Sequence, residues 1–264
     1  MLFISMLVGC SASIDTPNTF GTWIPIWEDQ FEGEFQSPPN PEFWEHDIGG
    51  DGWGNNQLEY NTDSIENVRL SGNGTLEIIA QREEFQGNQY TSGRIKTQHL
   101  LENGYGRYEA RIRLPEGEGL WPAFWLLGAD IDDGQIWPSC GEIDILEMRG
   151  DDPFKIHGTI HGPGYAGVDS IGGTFESENS IADDFHIFRV DFDPGYISWY
   201  VDDQLYLTIT EGNIPSNGAW VFDHDFFMIL NLAVGGNYLS DPTPEANFPK
   251  KMEIDYVRIY ERSE

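Results

Sequence analysis

Alternation of apolar and polar side chains over short segments constrains the fold of this chain more than any other feature. In residues 106–114, apolar or small side chains hold the even positions, and Arg107, Glu109, Arg111 and Arg113 hold the odd ones. A period of two places all the apolar side chains on one face of a β-strand. Residues 188–192 repeat the pattern, and no window of 12 residues carries a convincing helical stripe. The pattern predicts strands with one face in a core and the other in water.

Turn residues separate these segments. Asp202-Asp203 lies between predicted strands at 196–201 and 204–210, which is the spacing of a two-residue hairpin. Further predicted strands cover 75–81, 226–234 and 252–260. Short strands joined by Gly, Asn, Asp and Pro residues are typical of an antiparallel sandwich. Because no repeat or long linker interrupts the chain, we predict an all-β fold and a single domain over residues 20–264.

Residues 1–19 form an N-terminal segment of different composition. Residues 2–8 are apolar and are followed by Gly9-Cys10 and a polar stretch. A membrane span needs about 20 apolar residues, so the run indicates an export signal instead. Leu7-Val8-Gly9-Cys10 resembles the bacterial lipobox, whose cysteine is lipidated; a simple secretory signal and a buried N-terminal strand are the alternatives. We therefore expect a secreted protein or an outer-surface lipoprotein, with Cys140 either a buried thiol or the disulfide partner of Cys10.

The charge balance restricts the partners of the chain. The 264 residues include 45 Asp and Glu against 14 Lys and Arg, for a formal net charge of −31 at pH 7. Nucleic acids and anionic lipid surfaces bind clustered cations, which this sequence lacks. The scattered acids predict a solvated surface, and attraction of calcium or of a cationic substrate is the alternative. Because sulfated and uronate polymers would be repelled as well, the sequence favours a neutral ligand.

Three carboxylates lie close together in the segment Glu142-Ile-Asp-Ile-Leu-Glu147. Glu142 and Asp144 are two residues apart, so a strand places both on one face. Glu147 is at an odd offset from Glu142, and one extra residue at Leu146, a β-bulge, returns it to the same face. A bend at this bulge brings the two Glu carboxyls toward the spacing of about 5–5.5 Å that retaining glycosidases use.

Neighbouring carboxylates do not all ionise freely, because like charges raise at least one pKa. The segment therefore predicts one acid and one anion, which is what cleavage of a glycosidic bond requires. A magnesium or calcium site and an ordinary solvent-facing strand are the alternatives. Trp121, Trp125 and Trp137 favour the first interpretation, since indole rings stack on the C–H faces of sugars, with core packing as the alternative for each.

The carboxylate segment resembles the active-site motif of glycoside hydrolase family 16, in the bulged form of its laminarinases, which are endo-β-1,3-glucanases. The similarity extends over nearly the whole chain beyond the N-terminal segment. Blocks that look like family motifs lie at 52–59, 91–95, 119–125, 159–162, 231–237 and 255–260. The resemblance implies a two-sheet antiparallel β-jelly-roll sandwich, concanavalin-like, with a long cleft on its concave face.

The resemblance also implies a role for each site residue. Glu142 matches the nucleophile and Glu147 the general acid/base, with Asp144 between them to hydrogen-bond the nucleophile. His161 matches a histidine beside the acid/base, although a lone histidine is often structural. The matching sugar contacts are Asn55, Asn56, Arg94, Trp121, Trp125 and Trp137. For Arg94 the alternative is an ion pair with an acid on the same face.

The function implied is a secreted retaining hydrolase that cleaves internal β-1,3-glucosidic bonds of laminarin-like glucans as a monomer. The alternatives are a same-fold hydrolase of another neutral glucan or galactan, such as mixed-linkage glucan, xyloglucan or agar, and a non-catalytic glucan-binding module. No cofactor is expected for catalysis. The resemblance further implies a structural calcium, with the Gln30 and Gly74 carbonyls and the Asp255 carboxylate as ligands.

Overall fold

The computed structural model describes residues 21–263. The predicted export signal, including Cys10 and its lipid anchor or disulfide, lies outside the described residues, so the division of the chain at residue 19 stays a prediction. Cys140 is buried. Across residues 21–263, none of the helices has the length and apolar character needed to cross a membrane.

Strands dominate the described part of the chain, which confirms the predicted all-β class. In chain order the strands are β1 (Trp23–Asp29), β2 (Glu45–His46), β3 (Glu59–Asn61), β4 (Val68–Leu70), β5 (Leu76–Phe85), β6 (Asn88–Ser92), β7 (Arg94–Lys96), β8 (Glu102–Asn103), β9 (Gly106–Arg113), β10 (Leu120–Gly128), β11 (Glu142–Glu147), β12 (Lys155–His161), β13 (Ile171–Glu176), β14 (His186–Asp193), β15 (Tyr196–Val201), β16 (Gln204–Thr210), β17 (Phe226–Val234) and β18 (Lys250–Arg262). Three short 3₁₀ helices cover Ala129–Asp133, Gly167–Asp169 and Glu211–Asn213.

Two sheets form the sandwich. The ten-stranded sheet has the order β16-β15-β14-β9-β18-β5-β6-β3, with β1 beside β18 and β4 beside β5. The eight-stranded sheet has the order β13-β12-β11-β10-β17-β7-β2, with β8 beside β17. All pairs among these strands are antiparallel except β3 with β6, which are parallel. The predicted antiparallel sandwich is thus confirmed, with one parallel pair at an edge.

The predicted alternation and hairpin are both present in the ten-stranded sheet. On β9, Tyr108, Ala110 and Ile112 are fully buried in the core between the sheets, while the arginines of the strand face outward. Asp202 and Asp203 adopt positive φ angles of 48° and 66° in the turn between β15 and β16. Such φ angles suit a tight hairpin turn, whose twist matches that of the strands.

The eight-stranded sheet presents the carboxylate strand on its outer face. Ile143 of β11 packs into the core between the sheets, so the alternating side chains of Glu142 and Asp144 point away from the ten-stranded sheet. The indole Nε1 of Trp199 on β15 donates to the backbone carbonyl of Asp144 over 2.8 Å. This bond holds β11 against the ten-stranded sheet. We call the outer face of the eight-stranded sheet the carboxylate face.

Candidate active site

The predicted bulge in β11 is present. Across β12, Asp144 pairs with Thr159 and Glu147 pairs with His157, so β11 has one residue more than its partner between these two positions. Directly opposed residues of antiparallel strands share a face. The extra residue therefore places the third carboxylate on the same face as the other two.

The position of the extra residue differs by one from the prediction. Across β10, Leu146 pairs with Phe124 and Asp144 pairs with Trp125, so Ile145 and not Leu146 is the residue without a partner. Ile145 and Leu146 are both buried in the core. Two consecutive apolar side chains thus point inward, which is the break in alternation that the sequence displays.

Each Glu of the site accepts a hydrogen bond from an indole. Nε1 of Trp137 lies 3.0 Å from Oε2 of Glu142, and Nε1 of Trp121 lies 2.9 Å from Oε1 of Glu147. Among residues 21–263, the ion pairs that reach the carboxylates of β11 come from a histidine and none from Lys or Arg. Indole N–H groups thus hold the two glutamates, and no described Lys or Arg forms an ion pair with the three carboxyls.

His161 adds a donor of defined orientation. Its Nε2 lies 3.2 Å from Oδ2 of Asp144 and 3.6 Å from Oε1 of Glu142. The backbone N–H of Gly167 donates to its Nδ1 over 3.0 Å, so in the neutral ring the proton belongs on Nε2 and faces the carboxylates. Because Oδ2 of Asp144 is buried without a well-directed hydrogen bond, the contact with His161 is chiefly electrostatic.

Burial raises the pKa of all three carboxyls, each to about 8. For Glu142 and Glu147 the charge of Asp144 acts in the same direction, whereas His161 and the indole N–H groups favour the charged form and lower the pKa. Three such groups are not all ionised at neutral pH. The site thus holds a proton and a carboxylate anion side by side, which is the chemistry of acid-assisted nucleophilic displacement.

The three tryptophans predicted to line the site lie on or beside the carboxylate face. Trp121 is 8% exposed and packs against Tyr238, with ring centroids 4.8 Å apart. Trp125 donates its Nε1 to Oδ1 of Asn231 over 2.8 Å. Trp137, in the loop before β11, is 44% exposed and offers the largest free indole surface of the three. None of the three lies in the core between the sheets.

Arg94 forms the ion pair that was the alternative to a sugar contact. Its Nε lies 2.9 Å from Oδ2 of Asp47. The guanidinium also stacks between two indoles, 4.7 Å from the Trp53 ring and 4.9 Å from the Trp125 ring. Burial lowers the pKa of Arg94, while the charges of Asp47 and Glu142 raise it. Arg94 is thus fixed on the carboxylate face with its charge directed partly toward the site.

Comparison with known proteins gives the family. The family model for glycosyl hydrolases family 16 matches residues 53–258. The chain belongs to glycosyl hydrolase family 16. The β-glucanase of Rhodothermus marinus is 39% identical to it, over 97% of this chain and 92% of that protein. The X-ray structure of an endo-β-1,3-glucanase from Pyrococcus furiosus has a TM-score of 0.86 at 42% identity, covering 92% of this chain and 96% of that one.

A relative named for a different role also matches. The β-1,3-glucan-binding protein of Penaeus monodon is 33% identical, over 78% of this chain and 74% of that protein. The likeness to solved laminarinase structures confirms the predicted jelly roll and the laminarinase-like family. The protein is accordingly a glycoside hydrolase, and its family needs no catalytic cofactor.

Two of the predicted sugar contacts of this family 16 hydrolase lie in an exposed loop before β3. Nδ2 of Asn56 donates to Oδ1 of Asn237 over 2.9 Å, and the N–H of Asn237 donates to the carbonyl of Asn55 over 2.8 Å. These bonds join the loop to the segment after β17. A Cβ at Gly236 would lie 2.9 Å from the Asn55 carbonyl, so the close approach requires a glycine there. The role of both asparagines in sugar binding stays a prediction.

Sequence reasoning missed several residues of the site. They belong to the eight-stranded sheet or contact its residues: Trp53, Glu59, His157, Asn231 and Tyr238. A signal existed for His157, because residues 157, 159 and 161 alternate with buried residues and must share a face. Glu59 gave no signal; it is 1% exposed, accepts the N–H of Val234 and has its pKa raised by burial to about 7.

A cation could use part of the same residues, as the alternative interpretation of the sequence requires. Glu142, Asp144 and His161 each offer a ligand atom within 4.8 Å of the others. This set leaves Glu147 without a function, although the bulge and the Trp121 hydrogen bond both serve to place Glu147. The full arrangement therefore matches a pair of catalytic carboxyls better than a metal centre.

The residues predicted to bind calcium fit a cation only in part. Oδ2 of Asp255 accepts a hydrogen bond from Arg111 over 2.6 Å, so a cation would share this carboxylate with a guanidinium. A Cβ on Gly74 would lie 3.6 Å from Oε1 of Glu32, so a second carboxylate lies near Gly74. Gln30, the third predicted ligand, lies two residues before Glu32 in the sequence. The structural calcium stays a prediction, and no step of the chemistry depends on it.

Proposed function

We propose that the protein is an endo-β-1,3-glucanase that cleaves laminarin-like glucans with retention of configuration. The observation that carries this proposal is the bulged β11, on which Glu142 and Glu147 share a face, each held by an indole N–H and neither in an ion pair with a described Lys or Arg. The names of the relatives from Rhodothermus marinus and Pyrococcus furiosus support the substrate class.

The first step is displacement of the leaving sugar. Glu147, protonated because burial raises its pKa to about 8, donates its proton to the glycosidic oxygen. The carboxylate of Glu142 attacks the anomeric carbon, so an ester bond to the enzyme forms as the glycosidic bond breaks. In the second step Glu147, now ionised, takes a proton from water, and the water oxygen displaces Glu142. Two inversions give net retention.

Asp144 and His161 set the protonation states for these steps. The charge of Asp144 raises the pKa of both glutamates, which keeps Glu147 protonated. The Nε2–H of His161 favours the ionised form of Glu142, as does the N–H of Trp137. His161 and the Trp121 N–H act in the same direction on Glu147, so the division into acid and nucleophile follows the family resemblance rather than the pKa values.

A neutral polymer is the substrate class that fits the charge of −31 on the chain. The exposed indole of Trp137, beside the carboxylate face, offers stacking for a pyranose ring. Mixed-linkage glucan, xyloglucan and agar are neutral alternatives. The export signal predicted for residues 1–19 supports the further proposal that the protein acts outside the cytoplasm.

The test is release of reducing ends from laminarin by the purified protein, with the sizes of the products measured over time. We expect a mixture of short oligosaccharides early in the reaction, as internal cleavage produces, and lower rates on mixed-linkage glucan, xyloglucan and agar. Glu142→Gln, which keeps the shape of the side chain, is the matched control and should release nothing. Faster cleavage of another polymer of the panel would replace the proposed substrate.

A non-catalytic glucan-binding function is the second candidate, because the Penaeus monodon relative is named for binding alone. A binding protein has no need for two glutamates and a bulge that aligns them. If the purified chain binds laminarin, as seen by a shift in affinity electrophoresis, and releases no reducing ends between pH 4 and pH 9, this second candidate replaces the hydrolase.

A further inference from the structure

The loop between β10 and β11, residues 129–141, carries the indole that reaches Glu142, and we call it the indole loop. Trp137 of this loop donates its N–H to Glu142, although residues 132–137 are all exposed. An exposed segment holds a side chain in one place only where contacts with the rest of the protein fix it. One such contact comes from His224, a histidine that has no part in the reaction described above.

His224 lies two residues before β17 and contacts both ends of the indole loop through one nitrogen. Its Nε2 lies 3.1 Å from the carbonyl oxygen of Cys140 and 3.1 Å from Oδ1 of Asp130. A carbonyl and a carboxylate only accept, so in the neutral ring the proton belongs on Nε2. The ring also stacks on Phe226, with centroids 4.7 Å apart, which fixes its orientation. His224 therefore joins the beginning of the loop to its end.

The contact between His224 and Cys140 is packed against Gly128, the last residue of β10. A Cβ at Gly128 would collide with the Cys140 carbonyl and would lie 2.7 Å from Nε2 of His224. The N–H of Gly128 also donates to the carbonyl of Gly141 over 3.1 Å. A glycine is thus required at position 128 for the Cys140 carbonyl to approach the imidazole.

Two turns fix the position of Trp137 relative to Cys140. The N–H of Ser139 donates to the carbonyl of Ile136 over 2.8 Å, and the N–H of Gly141 donates to the carbonyl of Pro138 over 3.1 Å. Both turns lie within residues 136–141, on either side of the indole and the buried carbonyl. A displacement of the Cys140 carbonyl would therefore displace the indole as well.

Removal of the imidazole would take a polar partner away from two oxygen atoms. Cys140 is fully buried, and so is Oδ1 of Asp130, which has no well-directed hydrogen bond from any residue in 21–263. Because a buried acceptor without a donor is costly, the loop should shift until water reaches these atoms. A second histidine pair of the loop, His99 with Asp132, is more than half exposed on both sides and holds it only weakly.

We propose that His224 is a positioning residue of the hydrolase, which holds the indole loop so that the Trp137 N–H stays on Glu142. This inference rests on the proposed function, in which Glu142 attacks the anomeric carbon. Burial raises the pKa of Glu142, and the hydrogen bond from Trp137 opposes burial. A displaced indole should therefore make the nucleophile harder to ionise.

The other charged groups that face Glu142 are supplied by elements outside the indole loop. Besides burial, the charges of Asp144 and Glu147 raise the pKa of Glu142 and His161 lowers it. The charge of Glu142 also acts on Arg94 of β7. A change in the pH dependence of the nucleophile after substitution of His224 therefore reports on the position of the loop.

The experiment is a double-variant cycle on laminarin, with His224→Ala, Trp137→Phe and the two changes together. Trp137→Phe keeps an aromatic ring and removes the N–H. In His224→Ala we expect kcat/KM at pH 6 to fall about two- to tenfold, and the acid limb of its pH profile to move up by about half to one pH unit, the effect of one hydrogen bond. In the Trp137→Phe background, His224→Ala should move neither the rate nor the limb.

Matched variants separate positioning from folding. His224→Gln places an amide N–H near the position of Nε2 and should keep the acid limb at the wild-type pH, whereas His224→Asn is one bond shorter and should show the shift. His186→Ala removes a histidine with the same side-chain exposure as His224, paired with Asp202 on the ten-stranded sheet, and should leave the limb in place. Should His224→Ala fail to fold, the comparison of His224→Gln with His224→Asn decides.

Three outcomes would contradict the inference in different ways. An acid limb in His224→Ala that coincides with the wild type would overturn the positioning role, even where the overall rate is lower. Equal shifts with and without the Trp137 N–H would also overturn it, because His224 would then act on Glu142 by another route. If the wild-type protein releases no reducing ends from laminarin, the hydrolase proposal itself is wrong and the inference falls with it.

Discussion

Acidic side chains on the two outer faces of the sandwich have different hydrogen-bond and ion-pair partners. On the ten-stranded sheet, Asp191 receives two hydrogen bonds from Arg107, at 2.6 and 3.0 Å, and Asp193 is bound in the same way by Arg262. On the eight-stranded sheet, the carboxylates of β11 receive indole N–H groups and face a histidine. The same strand alternation places acids on both outer faces, but among the described residues Arg side chains bind Asp191 and Asp193, whereas none forms an ion pair with the carboxylates of β11.

This difference determines what the acids can do. Burial would raise the pKa of Glu77 on the ten-stranded sheet, but hydrogen bonds from Lys251 and Arg69 outweigh it and lower the pKa instead. On the carboxylate face His161 and the Trp121 N–H oppose burial without outweighing it, and the pKa of Glu147 rises to about 8. Paired acids are fixed as anions and hold the sheet together, whereas unpaired buried acids can exchange protons near neutral pH.

The largest expected difference between the faces is in activity. Glu147→Gln removes the proton donor, and we expect kcat on laminarin to fall by about 10²- to 10⁴-fold, the range for a general acid. Asp191→Asn removes one carboxylate charge from the other face and should leave kcat within about twofold of wild type, because Asp191 is remote from the reaction. Initial rates of reducing-end release check both. Comparable losses in the two variants would contradict the division between the faces.

Asp191→Asn should cost the protein more stability than Glu147→Gln does. Asp191→Asn leaves the largely buried Arg107 without its anion, which lowers the free energy of unfolding by about 3 kcal/mol. Glu147 has a folded-state pKa above its unfolded value, so it binds more protons when folded and its contribution to stability is lost as pH rises from about 4.5 toward 8. Glu147→Gln should therefore stabilise the protein relative to wild type by at least about 1 kcal/mol more at pH 8 than at pH 5. Urea unfolding at the two pH values measures this, and a pH-independent difference would argue against a raised pKa.

Whether a feature can be predicted from the sequence depends on how far apart along the chain the interacting residues lie. Alternation is local, so the strands, the common face of Glu142 and Asp144 and the need for a bulge were predictable from neighbouring residues. The predicted position of the bulge, Leu146, differs from the structure by one residue, because only the register against β10 shows that Ile145 lacks a partner. The single parallel pair, β3 with β6, had no local signal either.

Partners supplied by distant segments were harder to predict. Tyr238 reaches Trp121 from a loop more than a hundred residues away, and Asp47 reaches Arg94 from before β3. The resemblance to a family supplied the catalytic residues and named Arg94, but not the pair of indoles that enclose it. The burial of the three carboxyls of β11 could not be predicted from the sequence. Burial is the largest cause of their raised pKa values.

A smaller effect is expected in the pH dependence of proton transfer by Glu147. The charge of Asp144 raises the pKa of Glu147, so Asp144→Asn should let Glu147 lose its proton at lower pH. We expect the alkaline limb of the kcat profile to move down by about one pH unit, as removal of a near like charge does. A profile measured from pH 4 to pH 10 tests this independently of any loss in kcat. An alkaline limb that stays in place or moves up would contradict the coupling.

The smallest effect has the opposite sign. The N–H of Trp121 favours the ionised form of Glu147, so Trp121→Phe removes a hydrogen bond that lowers the pKa of that carboxyl. The alkaline limb should then move up, by less than about one pH unit. Opposite shifts in Asp144→Asn and Trp121→Phe, in one series of measurements, would show that both groups act through Glu147. Shifts of the same sign would not fit.

The most direct test concerns the nucleophile. In Glu142→Ala, hydrolysis of an aryl β-laminaribioside should fall by about 10⁴-fold or more, and sodium azide should restore turnover by entering the space left by the carboxylate. Azide attacks from the side that Glu142 occupied, so we expect an α-laminaribiosyl azide, identified by the coupling constant of its anomeric proton. A β-laminaribiosyl azide would mean that Glu142 is the acid/base and would contradict the assignment of the two glutamates.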